Sequence, residues 1–244
     1  MTLPPIVILA AGKGTRMRQL RADTPKHLLE VAGKPFLEHV LDRVRTAGYE
    51  RIILVVGHYA EQVAAFARTL PYEVELVNQF EQFDPEERYG TAVAVQSVAE
   101  TLAANGEGDT DFVFMNGDNL FDPEDLTLLG STREGAQIIS GMEHGDPARF
   151  GVLELTEDGD LLHIVEKPEH PKSNLVNIGL YRFTQEVFDV LPKLERSPRG
   201  EYELTDAVNV LAKTMGVRIH RLQGSWHDFG RPEDIPEVEK FITG

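Results

Sequence analysis

The fold is decided by Ile6-Val7-Ile8-Leu9-Ala10-Ala11-Gly12-Lys13-Gly14-Thr15-Arg16. A short apolar run too brief for a buried helix reads as a strand, and it empties directly into a turn of small residues with two glycines. Working outward, Pro35 suits a helix start, and Phe36, Leu37, Val40, Leu41 and Val44 follow at helical spacing. Gly48 stops that helix, and Ile52 to Val56 reads as a second buried strand. Helix from Ala60 to Arg68, strand from Val74 to Val77, helix from Thr91 to Leu102 and strand from Phe112 to Met115 extend the alternation. Such alternation predicts an α/β, Rossmann-like mixed sheet, mainly parallel and covered by helices on both faces.

After Asp122 the rhythm changes. Ile138 to Met142, Gly151 to Leu155, Leu161 to Glu166 and Val176 to Phe183 read as strands, with Glu157-Asp158-Gly159 as a turn. Helices are expected at Thr184 to Leu191, Thr205 to Thr214 and Pro232 to Phe241. No repeat or low-complexity linker divides the chain, so residues 1–244 are expected to form one domain. A nucleotide-binding half spans about 1–121, and a β-rich second half about 122–244.

Composition removes whole classes of function. No apolar run approaches the roughly 20 residues of a spanning helix, and the N-terminus lacks a signal peptide's basic start and cleavage site. No membrane association is expected, and the N-terminus is read as part of the fold. With no cysteine, disulfides, thiolate catalysis and zinc–thiolate sites are absent, which fits a cytoplasmic protein. The formal net charge of −16 disfavours a nucleic-acid partner. Yet residues 12–34 carry six basic and two acidic side chains, a local +4 in a remainder of −20. That island points to an anion site.

The glycine turn is suited to it. Two glycines let backbone N–H groups ring a phosphate, and Lys13 and Arg16 add charge. The dinucleotide fingerprint fails, because Met17 stands where a third glycine is needed, and no Walker Gly-Lys-Ser/Thr is present. A plain tight turn would not call for Arg16, Arg18, Arg21 and Lys26 in one loop.

Further motifs follow in order: Thr24-Pro25-Lys26, Gly33-Lys34-Pro35, Asn116-Gly117-Asp118, Phe150-Gly151-Val152, Val165-Glu166-Lys167-Pro168, Asn177-Ile178-Gly179, Gly200 to Asp206 and Trp226-His227-Asp228. Together with Leu9 to Arg16 they resemble the signature of the sugar-1-phosphate nucleotidylyltransferases over almost the whole chain. The resemblance implies transfer of a nucleotidyl group from a nucleoside triphosphate to a sugar 1-phosphate, releasing pyrophosphate. The sugar phosphate is its own nucleophile, so the site must supply charge and alignment rather than a triad.

On that resemblance Arg16, Lys26 and Asp118 are the catalytic residues. Leu9, Ala10, Ala11, Gly12, Gly14, Thr15, Gly90 and Thr91 would meet the nucleotide, with Gln79 favoured over Gln82 as base reader. Gly151, Glu166, Lys167 and Asn177 would hold the sugar phosphate. Asp118 and Asp228 would bind Mg²⁺, which accepts few protein oxygens plus phosphates and water. Tyr181 reads as core and His227 as a packed or solvent-facing histidine, while Thr205 or Asp206 would cap a helix. UTP or dTTP is the favoured donor; cytidylyl or guanylyl transfer and a phosphocholine-type acceptor stay open. A glycosyltransferase would want Asp-x-Asp where Asp118-Asn119-Leu120 stands, and a non-catalytic sensor would have lost one of Arg16, Lys26, Asp118 and Asp228. No hexapeptide repeat follows the last helix, so a single activity is expected, and a homo-oligomer is compatible with the resemblance.

Overall fold

The computed structural model describes residues 2–14, 17, 23–104, 111–132 and 135–244. Its opening strand β1 (Ile6–Leu9) is almost wholly buried, as a strand between two helical layers must be. A small hairpin follows, β2 (Glu30–Val31) and β3 (Lys34–Pro35), turning at Gly33 with φ of 81°. The apolar stripe of α1 (Phe36–Thr46) is the one read from the sequence: Phe36, Leu37, Val40, Leu41 and Val44 are all buried. Then come β4 (Ile52–Val56), α2 (Ala60–Ala67), β5 (Glu75–Asn78) and the single turn α3 (Gln79–Gln82). The helix expected from Thr91 to Leu102 is two helices, α4 (Thr91–Gln96) and α5 (Ala99–Ala104). Between them the Ser97 hydroxyl donates to the Ala94 carbonyl at 2.8 Å, a local bond that competes with the helical ladder. β6 (Phe112–Asn116) completes this half.

The second half contains β7 (Asn119–Phe121), α6 (Pro123–Gly130), β8 (Ile138–Glu143), β9 (Gly151–Leu155), β10 (Leu161–Glu166) and the long β11 (Leu175–Phe183). It ends with α7 (Val187–Val190), α8 (Leu204–Thr214), β12 (Arg218–Arg221), β13 (Trp226–Asp228) and α9 (Ile235–Thr243). Two helices are shorter than their sequence expectation. The Thr184 to Leu191 segment yields only α7 and a 3₁₀ turn at Leu191–Lys193, and Pro232–Asp234 is a 3₁₀ turn before α9. Their brevity hid β7, β12 and β13, whose pairing partners lie far away in sequence.

Four strands in the order β5-β4-β1-β6 run parallel, and β11 joins β6 antiparallel. Beyond β11 lie β9 and β10 on one path and β8 with β12 on another. Alternation in β1 feeds both faces: Ile6 and Ile8 join the core under α1, while Val7 joins the core under α4 and α8. The loops after β1, β4 and β6 consequently emerge together at the carboxyl edge, where open α/β sheets bind ligands.

Candidate active site

The first wall is the loop after β1. Ala10 and Ala11 are buried, with the Ala10 amide donating to the Val55 carbonyl at 2.8 Å and Ala11 accepting from the His58 amide at 3.3 Å. Gly12 has open space where a side chain would stand, so its backbone is approachable. Gly14 takes φ of 58° and packs on Lys26, with a would-be Cβ 3.4 Å from the Lys26 Cβ. Thr15 and Arg16 lie outside the described residues.

Gln79 and Gln82 occupy different surroundings. Gln79 is only 2% exposed, and its Oε1 has no hydrogen-bond partner. A side chain on Gly57 would stand 2.8 Å from Gln79 Nε2 and 3.2 Å from the Ala11 Cβ, so Gln79 lies beside the glycine turn. Gln82 is exposed and donates through Nε2 to the Ser97 carbonyl at 2.9 Å. Above Gln79's helix, His58, Phe80 and Tyr89 make edge or tilted ring contacts, and Lys13 Nζ stands 5.0 Å from the Tyr89 ring centre. Gly90, at φ of 138°, is pressed against Tyr202, whose carbonyl accepts from Ala92 N at 3.0 Å. The Thr91 hydroxyl accepts from Leu204 N at 2.9 Å. That bond caps α8, whose first residue is Leu204, so neither Thr205 nor Asp206 is its cap.

Asp118 reaches the same edge because Gly117 precedes it. The Gly117 amide donates to the Leu9 carbonyl at 3.0 Å, and a Cβ there would fall 2.5 Å from that oxygen. Lys26, which opens a 3₁₀ turn, forms an ion pair with Asp118. Burial resists ionisation of Asp118, but Lys26 overcomes it and holds the carboxyl below its ordinary range. Next to this pair His27 is 2% exposed, its Nδ1 without a partner; burial and the Lys26 charge push it down to about 3.

Asp228 comes from far along the chain. β13 pairs antiparallel with β7, setting Asp228 opposite Asn119, and Phe229 N donates to Asp118 O at 2.7 Å. The approach to β13 is anchored by two carboxylates of α6 and its lead-in. Asp125 accepts from the amides of Gln223 at 2.9 Å and Gly224 at 2.8 Å, and Asp122 from Ser225 N at 2.7 Å. Gly224 is required there, since a Cβ would meet Asp122 Oδ2 at 2.4 Å.

A cleft of 240 Å³ joins Asp118 and Asp228 to Gly151, Glu166, Lys167 and Asn177. A side chain at Gly151 would stand 3.2 Å from Glu166 Oε2 and 3.7 Å from the Asn177 Cβ, so glycine leaves room between them. Lys167 adopts φ of 44°, a left-handed conformation unusual for a residue with a side chain, and its Nζ lies 3.5 Å from Glu166. Asn177 accepts from Gly179 N at 3.0 Å and donates to the Tyr181 hydroxyl at 2.8 Å. Tyr181 itself is core, stacked 5.3 Å from Phe183. His227 packs 4.2 Å from the Phe241 ring and pairs with Glu237, as a packed histidine would.

Several residues of this neighbourhood escaped the sequence reading. Arg199 holds Glu203 through two bonds of 2.9 and 2.8 Å and reaches Glu166 at 3.6 Å, bringing the Gly200 motif to the cleft. Arg149, Arg231, Asn116 and Trp226 also line it. Adjacency to Phe150-Gly151 and Asp228 was the available signal for Arg149 and Arg231. As for a metal, no three His, Cys, Asp or Glu side chains converge among the described residues. Two hard carboxylates facing one cleft suit an ion that takes its other ligands from phosphates and water.

The sequence pattern of the nucleotidyl transferase family matches residues 6–244. The bifunctional protein GlmU of Methanocaldococcus jannaschii is 35% identical over 236 residues, covering 97% of this chain and 53% of that protein. The chain thus spans about half the length of its GlmU relatives. The UTP–glucose-1-phosphate uridylyltransferase AglF of Haloferax volcanii is 34% identical, with 96% of this chain and 94% of AglF covered. In fold, the chain resembles a UDP-glucose pyrophosphorylase bound to UDP-glucose, with a TM-score of 0.82 at 22% identity and 99% of each chain covered. It resembles an inositol-1-phosphate CTP transferase from T. maritima equally well, with a TM-score of 0.81 at 20% identity over 100% and 96% of the two chains.

Proposed function

The chain belongs to the nucleotidyl transferase family, and from that premise we propose that it transfers a nucleotidyl group from UTP or dTTP to a sugar 1-phosphate. A sugar phosphate oxygen attacks the α-phosphorus, the new P–O bond forms, the bond to the β-phosphate bridge breaks, and pyrophosphate leaves. The observation that carries this reading is the single cleft joining Asp118, Asp228, Glu166, Lys167 and Asn177, with Lys26 ion-paired to Asp118 at its inner end.

Each residue has a role that its surroundings support. The turn from Leu9 to Gly14 offers backbone donors to the nucleotide, and Thr15 and Arg16, outside the described residues, are assigned to the triphosphate on their place in the motif alone. Lys26 exchanges Asp118 for phosphate oxygens and stabilises the charge that develops at the α-phosphorus. Glu166 and Asn177 receive and donate hydrogen bonds to sugar hydroxyls, Gly151 leaves the space for the ring, and Lys167 holds the 1-phosphate. Asp118 and Asp228 would hold Mg²⁺, which when bound neutralises phosphate charge. Gln79 supports a uracil or thymine reader, because its amide is buried beside Ala11 and Gly57 with one oxygen unpartnered. AglF's uridylyltransferase activity agrees with that choice.

The test is pyrophosphate release with each nucleoside triphosphate against a panel of sugar 1-phosphates and Mg²⁺. Turnover is expected with UTP or dTTP. Silence with every pair would overturn transfer, and a preference for CTP or GTP would overturn the assignment of Gln79.

A further inference from the structure

The proposed transfer leaves two cations that line the cleft without a role. Lys26 is paired with Asp118, while Lys167 and Arg199 lie at 3.5 and 3.6 Å from Glu166. Arg149 and Arg231 line the same cleft, and among the described residues neither is ion-paired to a carboxylate. Both are exposed side chains on anchored backbone. Arg149 ends a 3₁₀ turn and lies 5.8 Å from the Phe150 ring, which packs 5.5 Å from Trp226. Arg231 and Gly230 both donate their amides to Asp234 Oδ2, at 2.7 and 3.0 Å.

Sugar hydroxyls are neutral and are matched here by Glu166 and Asn177. A guanidinium is instead matched to a carboxylate or a phosphate, which it can grip through two parallel bonds. There is also room for a substituent. Arg149, Phe150, Trp226 and Asp228 line both this cleft and an adjoining recess of 270 Å³ whose further walls include His144, Asp234 and Glu237, so an anionic substituent would be met at the shared Arg149 and not deeper in the recess.

We propose that Arg149 and Arg231 form an anion clamp that selects a sugar 1-phosphate carrying a second anionic group, a carboxylate or a phosphate ester. The proposal rests on the nucleotidyl-transfer reading and narrows its acceptor. Pyrophosphate release is compared for glucose 1-phosphate, glucuronic acid 1-phosphate and glucose 1,6-bisphosphate, using the best nucleotide donor. At least one anionic sugar is expected to exceed glucose 1-phosphate by about tenfold in kcat/KM, the scale of one charge-assisted hydrogen bond. The carboxylate and bisphosphate arms identify which anion is read. The double variant Arg149→Gln/Arg231→Gln, at exposed positions that do not carry the core, is expected to erase that preference through KM while leaving glucose 1-phosphate within about threefold. Equal or better use of glucose 1-phosphate by the wild type overturns the clamp and leaves transfer standing. So does an equal loss for all sugars in the double variant, which would assign the arginines to the shared 1-phosphate. If no sugar yields pyrophosphate, transfer itself fails; calorimetry with the same three sugars then judges the clamp alone, and indistinguishable affinities overturn it.

Discussion

Lys26 and Asp118 form an ion pair at the cleft, and the Lys26 charge keeps Asp118 ionised against burial before any substrate arrives. Lys26→Ala removes a cation aimed at the reacting phosphate, so kcat is expected to fall about 100- to 1,000-fold in variant protein that circular dichroism shows to be folded. Near-normal turnover would remove Lys26 from the reaction. His27, one residue on, makes a different prediction. Its folded value of about 3 lies below the ordinary 6.5, so the unfolded chain takes up a proton that the folded chain refuses. The associated stability is full above about pH 6.5 and is lost as pH falls toward 3, at roughly 1 kcal/mol per pH unit. Urea midpoints measured from pH 7 to pH 4 should therefore fall less steeply in His27→Gln than in the wild type; parallel slopes would show that His27 is not buried neutral. At this scale the sequence was informative wherever a motif fixed a residue type beside a glycine, as at Gly117-Asp118 and Phe150-Gly151. It could not rank Gln79 against Gln82, because burial of one and surface bonding of the other depend on packing with Gly57 and Ser97.

Among the elements, the most consequential for the site is the loop before β13, which has no periodicity to reveal it. Three successive amides, Gln223 to Ser225, are captured by Asp125 and Asp122, and the strand so anchored carries Asp228 to Asp118. Asp125→Ala removes a charged acceptor shared by two part-buried amides, so a loss of about 1.5–3 kcal/mol is expected, read as a lower urea midpoint. Displacement of Asp228 should also lower kcat/KM by roughly tenfold or more, since reacting groups tolerate little misplacement. Unchanged kinetics in a destabilised variant would separate the loop from the site. Buried strands such as β4 and β6 were legible because apolar runs need no partner to announce them. β7 and β13 were not, being three residues each and strands only because they pair across more than a hundred residues of chain. α6 was likewise passed over, although Pro123 after Asp122 is a good helix start.

Across the whole molecule, a net charge of −16 coexists with a local +4 over residues 12–34, and the structure sets two of those cations, Lys13 and Lys26, against Tyr89 and Gly14. The order of motifs made the α/β sheet legible, yet it suggested two halves, and the sheet does not divide between them. β6, from the first half, is bonded to β1 on one side and to β11, from the second, on the other. Both apolar cores draw on both halves: Ile8 packs with Ile178 and Phe229 in one, Val7 with Leu153 and Val208 in the other. A buried ion pair fastens the same seam, with Arg182 of β11 donating to Asp111 at 3.2 and 3.1 Å and to the Leu129 and Gly130 carbonyls at 3.1 and 2.7 Å. Removing one partner of such a pair strands the other, so Arg182→Met is expected to cost about 3–5 kcal/mol. Intermediates become common in chains beyond about 150 residues when parts of the chain can hold a core of their own. Here neither half can, and one cooperative transition is expected. The protein's single tryptophan, Trp226, reports on the cleft, while far-UV circular dichroism reports on the helices and sheet. Their urea midpoints should coincide in the wild type and shift together in Arg182→Met; separated midpoints in the wild type would mean that the second half opens while the parallel strands stay folded.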